Sequence, residues 1–192
     1  MLSSSKRRTG VAAVLAGVLI FAGHGGELVF GSPSDLVDGV FVGLWIAGIV
    51  ALGLALWGLR DLTTGSRMAR IGMRLALAGL AFLGLFAIQL VIELIRTGEI
   101  PENFVLFAIG FLLVLVGQLL FARDLSAALG RGWLLPIAAV VGLVVALGAG
   151  DNPVHDVGLL VFEAAWVALG LVVLRATSRS GRSLGAPYGP PG

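Results

Sequence analysis

The sequence predicts an all-α, polytopic integral membrane protein whose six transmembrane helices form three tandem parallel hairpin repeats. Three observations carry that prediction: an apolar excess, the spacing of the apolar runs, and the side on which the arginines fall. Of 192 residues, 58% are hydrophobic and 12% charged, and the mean hydropathy is +1.03, more apolar surface than one soluble core of this size hides. Six apolar runs, each near the roughly 20 residues that cross a bilayer, leave no room for a large extramembrane domain. Function must therefore reside within or between helices.

The first run, Val11 to Phe30, follows Lys6, Arg7 and Arg8 and is interrupted by Gly23-His24-Gly25-Gly26-Glu27, whose glycines permit a local break. A basic start before an apolar stretch also resembles a secretory signal peptide, but there is no clear small-x-small cleavage site before a polar mature start, so an uncleaved helix is expected. The next runs are Val37 to Leu59, Ile71 to Ile95 and Phe104 to Ala122. The fifth, Trp133 to Gly148, is short and carries Pro136 near its start; the sixth is Val157 to Leu174. Residues 1–10 then form a cytoplasmic N-terminus and 11–175 the membrane domain. Residues 176–192, rich in Gly, Pro and Ser, are expected to be a disordered cytoplasmic tail.

Orientation follows from the basic residues. Lys6, Arg7, Arg8, Arg60, Arg67, Arg70, Arg74, Arg123, Arg131, Arg175, Arg179 and Arg182 fall on one side of a six-span arrangement and only Arg96 on the other. The positive-inside rule places both termini in the cytoplasm. Arginine-heavy usage beside abundant Ala, Gly, Leu and Val points to a GC-rich bacterial genome, hence the bacterial plasma membrane. The basic residues are spread singly rather than gathered on one face, so no nucleic-acid partner is expected. The acids show the reverse bias: Glu27, Asp35, Asp38, Glu93, Glu99, Glu102, Asp151, Asp156 and Glu163 lie outside or in outer halves, and only Asp61 and Asp124 lie inside.

The outer loops repeat. Ser32-Pro33-Ser34-Asp35, Ile100-Pro101-Glu102-Asn103 and Asn152-Pro153-Val154-His155 each set a proline before an even-numbered helix, where its missing N–H costs nothing. Those helices run on to Arg60-Asp61-Leu62, Arg123-Asp124-Leu125 and Arg175. Three same-direction hairpins, about 11–62, 69–125 and 132–175, account for the pattern. In its size, its loop prolines and its glycine-containing even helices (Gly110 to Gly117, Leu159 to Gly170), the chain resembles the HdeD-like membrane proteins, a bacterial family of short repeated hairpins. The resemblance implies a non-enzymatic part in envelope or acid-stress tolerance, and it covers nearly the whole chain.

Glycine occurs 29 times, much of it inside the runs, where small residues let helix backbones approach closely. Gly39 with Gly43, Ala13 with Gly17, and Ala164 with Ala168 are the expected small-xxx-small packing pairs. Trp57 and Trp133 fit an interfacial aromatic belt. Besides the lipid bilayer, the partners left open are a second copy of the chain or another membrane protein, to which it would serve as accessory subunit.

Glu163 is the most informative polar residue. Near mid-bilayer, an ionised carboxylate costs about 3 kcal/mol or more, so it must be paired, protonated or in contact with water. Asp156 lies seven positions earlier, on the same face and about 10 Å away along the axis, like steps on a proton or cation path. His24 and Glu27 can share a face, His155 adjoins Asp156, and Glu93 lies four residues from Gln89. These six, Glu163, Asp156, His24, Glu27, His155 and Glu93, are the candidate proton- or cation-binding residues of a small channel or carrier. Gln118 and Gln89 are expected to hydrogen-bond across helices.

No cofactor is expected. The absence of cysteine excludes disulfides, thiolate metal sites and iron–sulfur clusters. The two histidines lack any recognised metal spacing such as H-E-x-x-H, so no metal is predicted, and they lie on different repeats, which argues against haem. Lys6 is the only lysine, which removes a Walker A loop and a Schiff-base lysine. No G-x-S-x-G elbow appears, and no catalytic residue is assigned.

Overall fold

The computed structural model describes the backbone of residues 2–30, 35–97, 105–149 and 153–182, and the side chains of 4–24, 39–97, 105–149 and 153–176. Within these bounds the protein is all-α, with no strand among the described residues: α1 (Leu2–Phe30), α2 (Asp35–Leu59), α3 (Arg67–Thr97), α4 (Val105–Ala122), the single turn α5 (Ser126–Leu129), α6 (Leu134–Ala149) and α7 (Pro153–Arg182). Helices satisfy their own backbone groups, which a segment this apolar requires once it leaves water. Among the described residues, four stretches are long and apolar enough to cross a membrane: Gly39–Leu62, Arg67–Thr97, Val105–Ala149 and Pro153–Ala176. The third contains both α4 and α6, which the turns between Arg123 and Trp133 fold back on each other.

The helices pack mainly as neighbours in sequence, α1 on α2, α3 on α4 and α6 on α7, and α1 also lies along α7. Narrower contacts join α2 to α3 and α4 to α6. Trp166, Phe121, Leu56, Leu125 and Leu169 are fully buried between them, whereas Leu54, Leu85, Ile88, Leu112 and Val144 point outward. Apolar residues on the outside suit a lipid surround. Pro136 falls in the first turn of α6, where a proline costs no hydrogen bond.

Glycine sets the closest approaches. A Cβ added at Gly117 would lie 2.5 Å from the Gly72 carbonyl, and one at Gly110 2.8 Å from that of Gly79, so α3 and α4 touch backbone to backbone. Gly158 and Gly142 do the same between α7 and α6. Of the expected packing pairs, Ala13 is fully buried and Gly17 meets α7, but Gly39 and Gly43 have nothing within 4 Å. They occupy an open face of α2, which meets α1 through Gly48 and Gly58 instead. Ala164 is likewise exposed and Ala168 half-buried.

Three further expectations change. The Gly25-Gly26 break is absent, because α1 is helical through Phe30; glycine's cost of about 1 kcal/mol in a helix is smaller than that of unpaired backbone in apolar surroundings. Helix also replaces coil at both ends of the predicted membrane domain. α1 starts at Leu2 rather than Val11, and α7 continues to Arg182 through the first part of the expected tail, since extending an existing helix avoids the cost of nucleation.

The two Arg-Asp-Leu segments staple helix ends. Asp61 accepts a hydrogen bond from the Ser5 hydroxyl at 3.2 Å, beside the start of α1. Asp124, in the turn after α4, accepts from the Thr64 hydroxyl at 2.7 Å and the Ser66 amide at 3.3 Å, just before α3. The Ser66 hydroxyl has the largest effect on the Asp124 carboxyl and, with the Thr64 hydroxyl, the Ser66 amide and the Arg123 charge, holds it below its ordinary range against burial, the second-largest effect and an opposing one. A depressed folded-state pKa stabilises above the unfolded value of about 3.9 and stops doing so as pH falls through the folded value. Asp124→Asn should therefore lower stability at neutral pH by no more than about 1 kcal/mol, the group being exposed to screening solvent. It should also flatten the acid limb of a thermal-melt series below about pH 4; an unchanged limb would refute the staple.

Candidate functional site

α1 and α7 run antiparallel in a register visible in their residues. Gly10, Gly17 and His24 are spaced by seven, as are Asp156, Glu163 and Gly170. A Cβ at Gly10 would lie 2.9 Å from the Gly170 carbonyl, and one at Gly17 2.6 Å from that of Glu163. His24 Nε2 lies 3.6 Å from Asp156 Oδ1. Heptad spacing keeps one stripe of each helix against the other over several turns. Two glycine layers thus bring the backbones together, and the third layer holds chemistry.

That layer joins three of the predicted site residues on α7 to one on α1. His24 Nδ1 is 3.4 Å from Glu163 Oε1 while Nε2 faces Asp156, so one imidazole bridges two carboxylates. Glu163 is only 2% exposed. Its contact with His24 is close enough for charge pairing but not aligned as a hydrogen bond, leaving both carboxylate oxygens and His24 Nδ1 buried without a hydrogen-bond partner. His155 Nδ1 lies 2.9 Å from the Ala146 carbonyl on α6. A carbonyl only accepts, so Nδ1 carries a proton, and in the neutral ring Nε2 holds the lone pair. The two rings stand edge to face with centroids 6.4 Å apart, and nitrogen or oxygen atoms of His24, His155 and Asp156 all lie within 4.8 Å of one another.

Exposure grades along the cluster. The Asp156 side chain is 37% exposed and that of His24 13%, while Glu163 lies deepest, next to the fully buried Trp166. Among the described residues the ion pairs are those of His24, and no arginine or lysine offsets the two carboxylates.

The other predicted site residues are not brought here. Glu93 lies half-buried on α3, where its backbone carbonyl accepts from the Thr97 hydroxyl at 2.8 Å, and α3 packs on α4 and α2. The side chain of Glu27 lies outside the described residues. The corresponding space between α2, α3 and α4 is aromatic: Phe86 and Phe107 lie 5.4 Å apart and Phe107 and Phe111 5.2 Å, with Trp45 against them. A groove of about 1060 Å³ lies away from the cluster, between the basic start of α1 and the end of α2, where Arg7, Arg8 and Trp57 stand above Val11 and Leu54. The Arg60 guanidinium sits 5.7 Å from the Trp57 ring, as in an interfacial belt.

Gln118 departs from expectation: fully buried, its amide oxygen and nitrogen have no hydrogen-bond partner, so it does not bond across helices. Removing an unsatisfied buried amide for an apolar side chain of similar size relieves a desolvation penalty of about 1–3 kcal/mol. Gln118→Leu should accordingly raise the melting temperature, and a drop would show that the amide has a partner. No family model, curated protein or solved structure matches this chain.

Proposed function

We propose that this chain is a non-enzymatic membrane protein that takes up cations from the outer face into the His24–Asp156–Glu163 cluster, in the service of envelope or acid-stress tolerance as the HdeD-like resemblance implies. It crosses the bacterial plasma membrane six times as three look-alike hairpins, with both termini in the cytoplasm. The single observation that carries this is Glu163: a carboxylate 2% exposed, without a hydrogen-bond donor, 3.4 Å from an imidazole that also faces a second carboxylate. Intramembrane carboxylates are costly, and cation and proton pathways are where they are most often retained. The gradient of exposure from Asp156 to Glu163 supports entry from the N-terminal end of α7. Cation flux into proteoliposomes tests it. Wild-type protein should carry flux that Glu163→Gln removes; equal flux in the two would defeat the proposal.

A further inference from the structure

We infer that His24, His155 and Asp156 form a binding site for a divalent transition-metal ion of the zinc class, with Glu163 orienting His24 from behind; this deepens the cation-uptake reading and rests on it. Imidazole nitrogens and a carboxylate oxygen are the donors zinc takes, in sites of three protein ligands and one open position. Such a set is hard to explain as a calcium or magnesium site, because those ions prefer oxygen throughout.

The orientation of both rings supports the assignment. A metal-bound histidine usually gives its other ring N–H to a carboxylate or a backbone carbonyl, which fixes the tautomer and the ring plane. His155 does this with the Ala146 carbonyl at 2.9 Å, and His24 Nδ1 lies 3.4 Å from Glu163 Oε1, near enough for a small ring rotation to give the same arrangement. Each ring then has Nε2 free for a ligand. His24 Nε2 and Asp156 Oδ1 are 3.6 Å apart, close to the edge of about 3.4 Å in a tetrahedron with bonds near 2.1 Å. One nitrogen or oxygen from each of the three residues lies within 4.8 Å of the others. The Glu163 carboxylate, 2% exposed and without a hydrogen-bond partner, is a second observation that the cluster is incomplete as it stands. Glu163 is too deep to be the mouth of the site; a small turn of the His24 ring would align its Nδ1–H with this carboxylate as the acceptor behind that ligand.

The probe is Zn²⁺ added to the full-length chain in mild detergent, read by calorimetry and, with Co²⁺, by visible absorption. One Zn²⁺ should bind per chain, unaffected by excess Mg²⁺ or Ca²⁺. His155→Gln, which retains a donor for the Ala146 carbonyl, and Asp156→Asn should each weaken binding at least about 100-fold, and Glu163→Gln about 10–100-fold. Absence of saturable Zn²⁺ binding, or undiminished affinity in His155→Gln, would overturn the site. Should a variant lose its helical circular dichroism, the wild type decides alone: the chain has two histidines, and Zn²⁺ should block diethylpyrocarbonate labelling of both, whereas labelling unchanged by Zn²⁺ overturns the site. Glu163-dependent flux without Zn²⁺ binding removes this inference and leaves the cation reading standing. Zn²⁺ binding with flux indifferent to Glu163 removes passage through the membrane and leaves the metal site.

Discussion

Glu163→Gln is expected to leave the helical bundle folded while cation flux falls to background, at least about 100-fold if the carboxylate supplies a few kcal/mol of the ion's stabilisation. The exchange is isosteric, so the close approach of Gly17 to the residue 163 carbonyl is retained. It removes a buried charge that has no arginine or lysine partner and no hydrogen-bond donor. With His24 neutral, an uncharged group of the same shape relieves the cost of burying that charge, so the thermal melt should stay level or rise. Glu163→Ala would be a poorer test, because emptying a side chain that is 2% exposed would leave a cavity that destabilises the bundle in its own right. Loss of flux together with an undiminished melt separates function from folding; loss of both would make Glu163 a structural residue.

Much of the helical architecture was legible because apolar runs and loop prolines are local signals. The candidate site was half legible. Glu163 and Asp156 stand out as acids at heptad spacing on one apolar helix, and the sequence alone places them on one face. Their partner does not stand out in the same way, since His24 is separated from them by five helices and no local spacing links it to α7. The signal that would have found it is the matching heptad of Gly10, Gly17 and His24, whose layers complement Gly170, Glu163 and Asp156. The same limitation hides a metal-ligand set: short motifs detect donors on one helix, and here they come from two. Gly39 and Gly43 fail as packing residues for a related reason. Small-xxx-small spacing shows that a face is smooth, not which neighbour it meets, and in α2 the smooth face used lies at Gly48 and Gly58. Gln118 resisted reading because a buried amide without a partner contradicts the rule that predicts one.

Gly17→Ala and Gly39→Ala make the same chemical change in two helices and should have opposite effects. Alanine is favoured over glycine inside a helix by about 1 kcal/mol, a gain common to both positions. At Gly39 an added Cβ meets nothing within 4 Å, so the whole gain should appear as a higher melting temperature. At Gly17 the same methyl would stand 2.6 Å from the Glu163 carbonyl oxygen, 2.7 Å from Val167 Cγ2 and 3.0 Å from the Val167 amide nitrogen. Two of these are backbone atoms of α7 and cannot rotate away, so α1 must retreat along the stripe that holds His24. Overpacking of this kind costs about 1–3 kcal/mol, which exceeds the propensity gain and leaves Gly17→Ala the less stable of the pair. Its effect should extend beyond stability: one heptad along, His24 would be drawn away from Asp156 and Glu163, and cation uptake should weaken even where the helices still form. Gly39→Ala should leave uptake unchanged. Equal melting shifts in the two variants, or full uptake in Gly17→Ala, would mean that α1 does not lie against α7 in this register, and the cluster built on that register would fall with it.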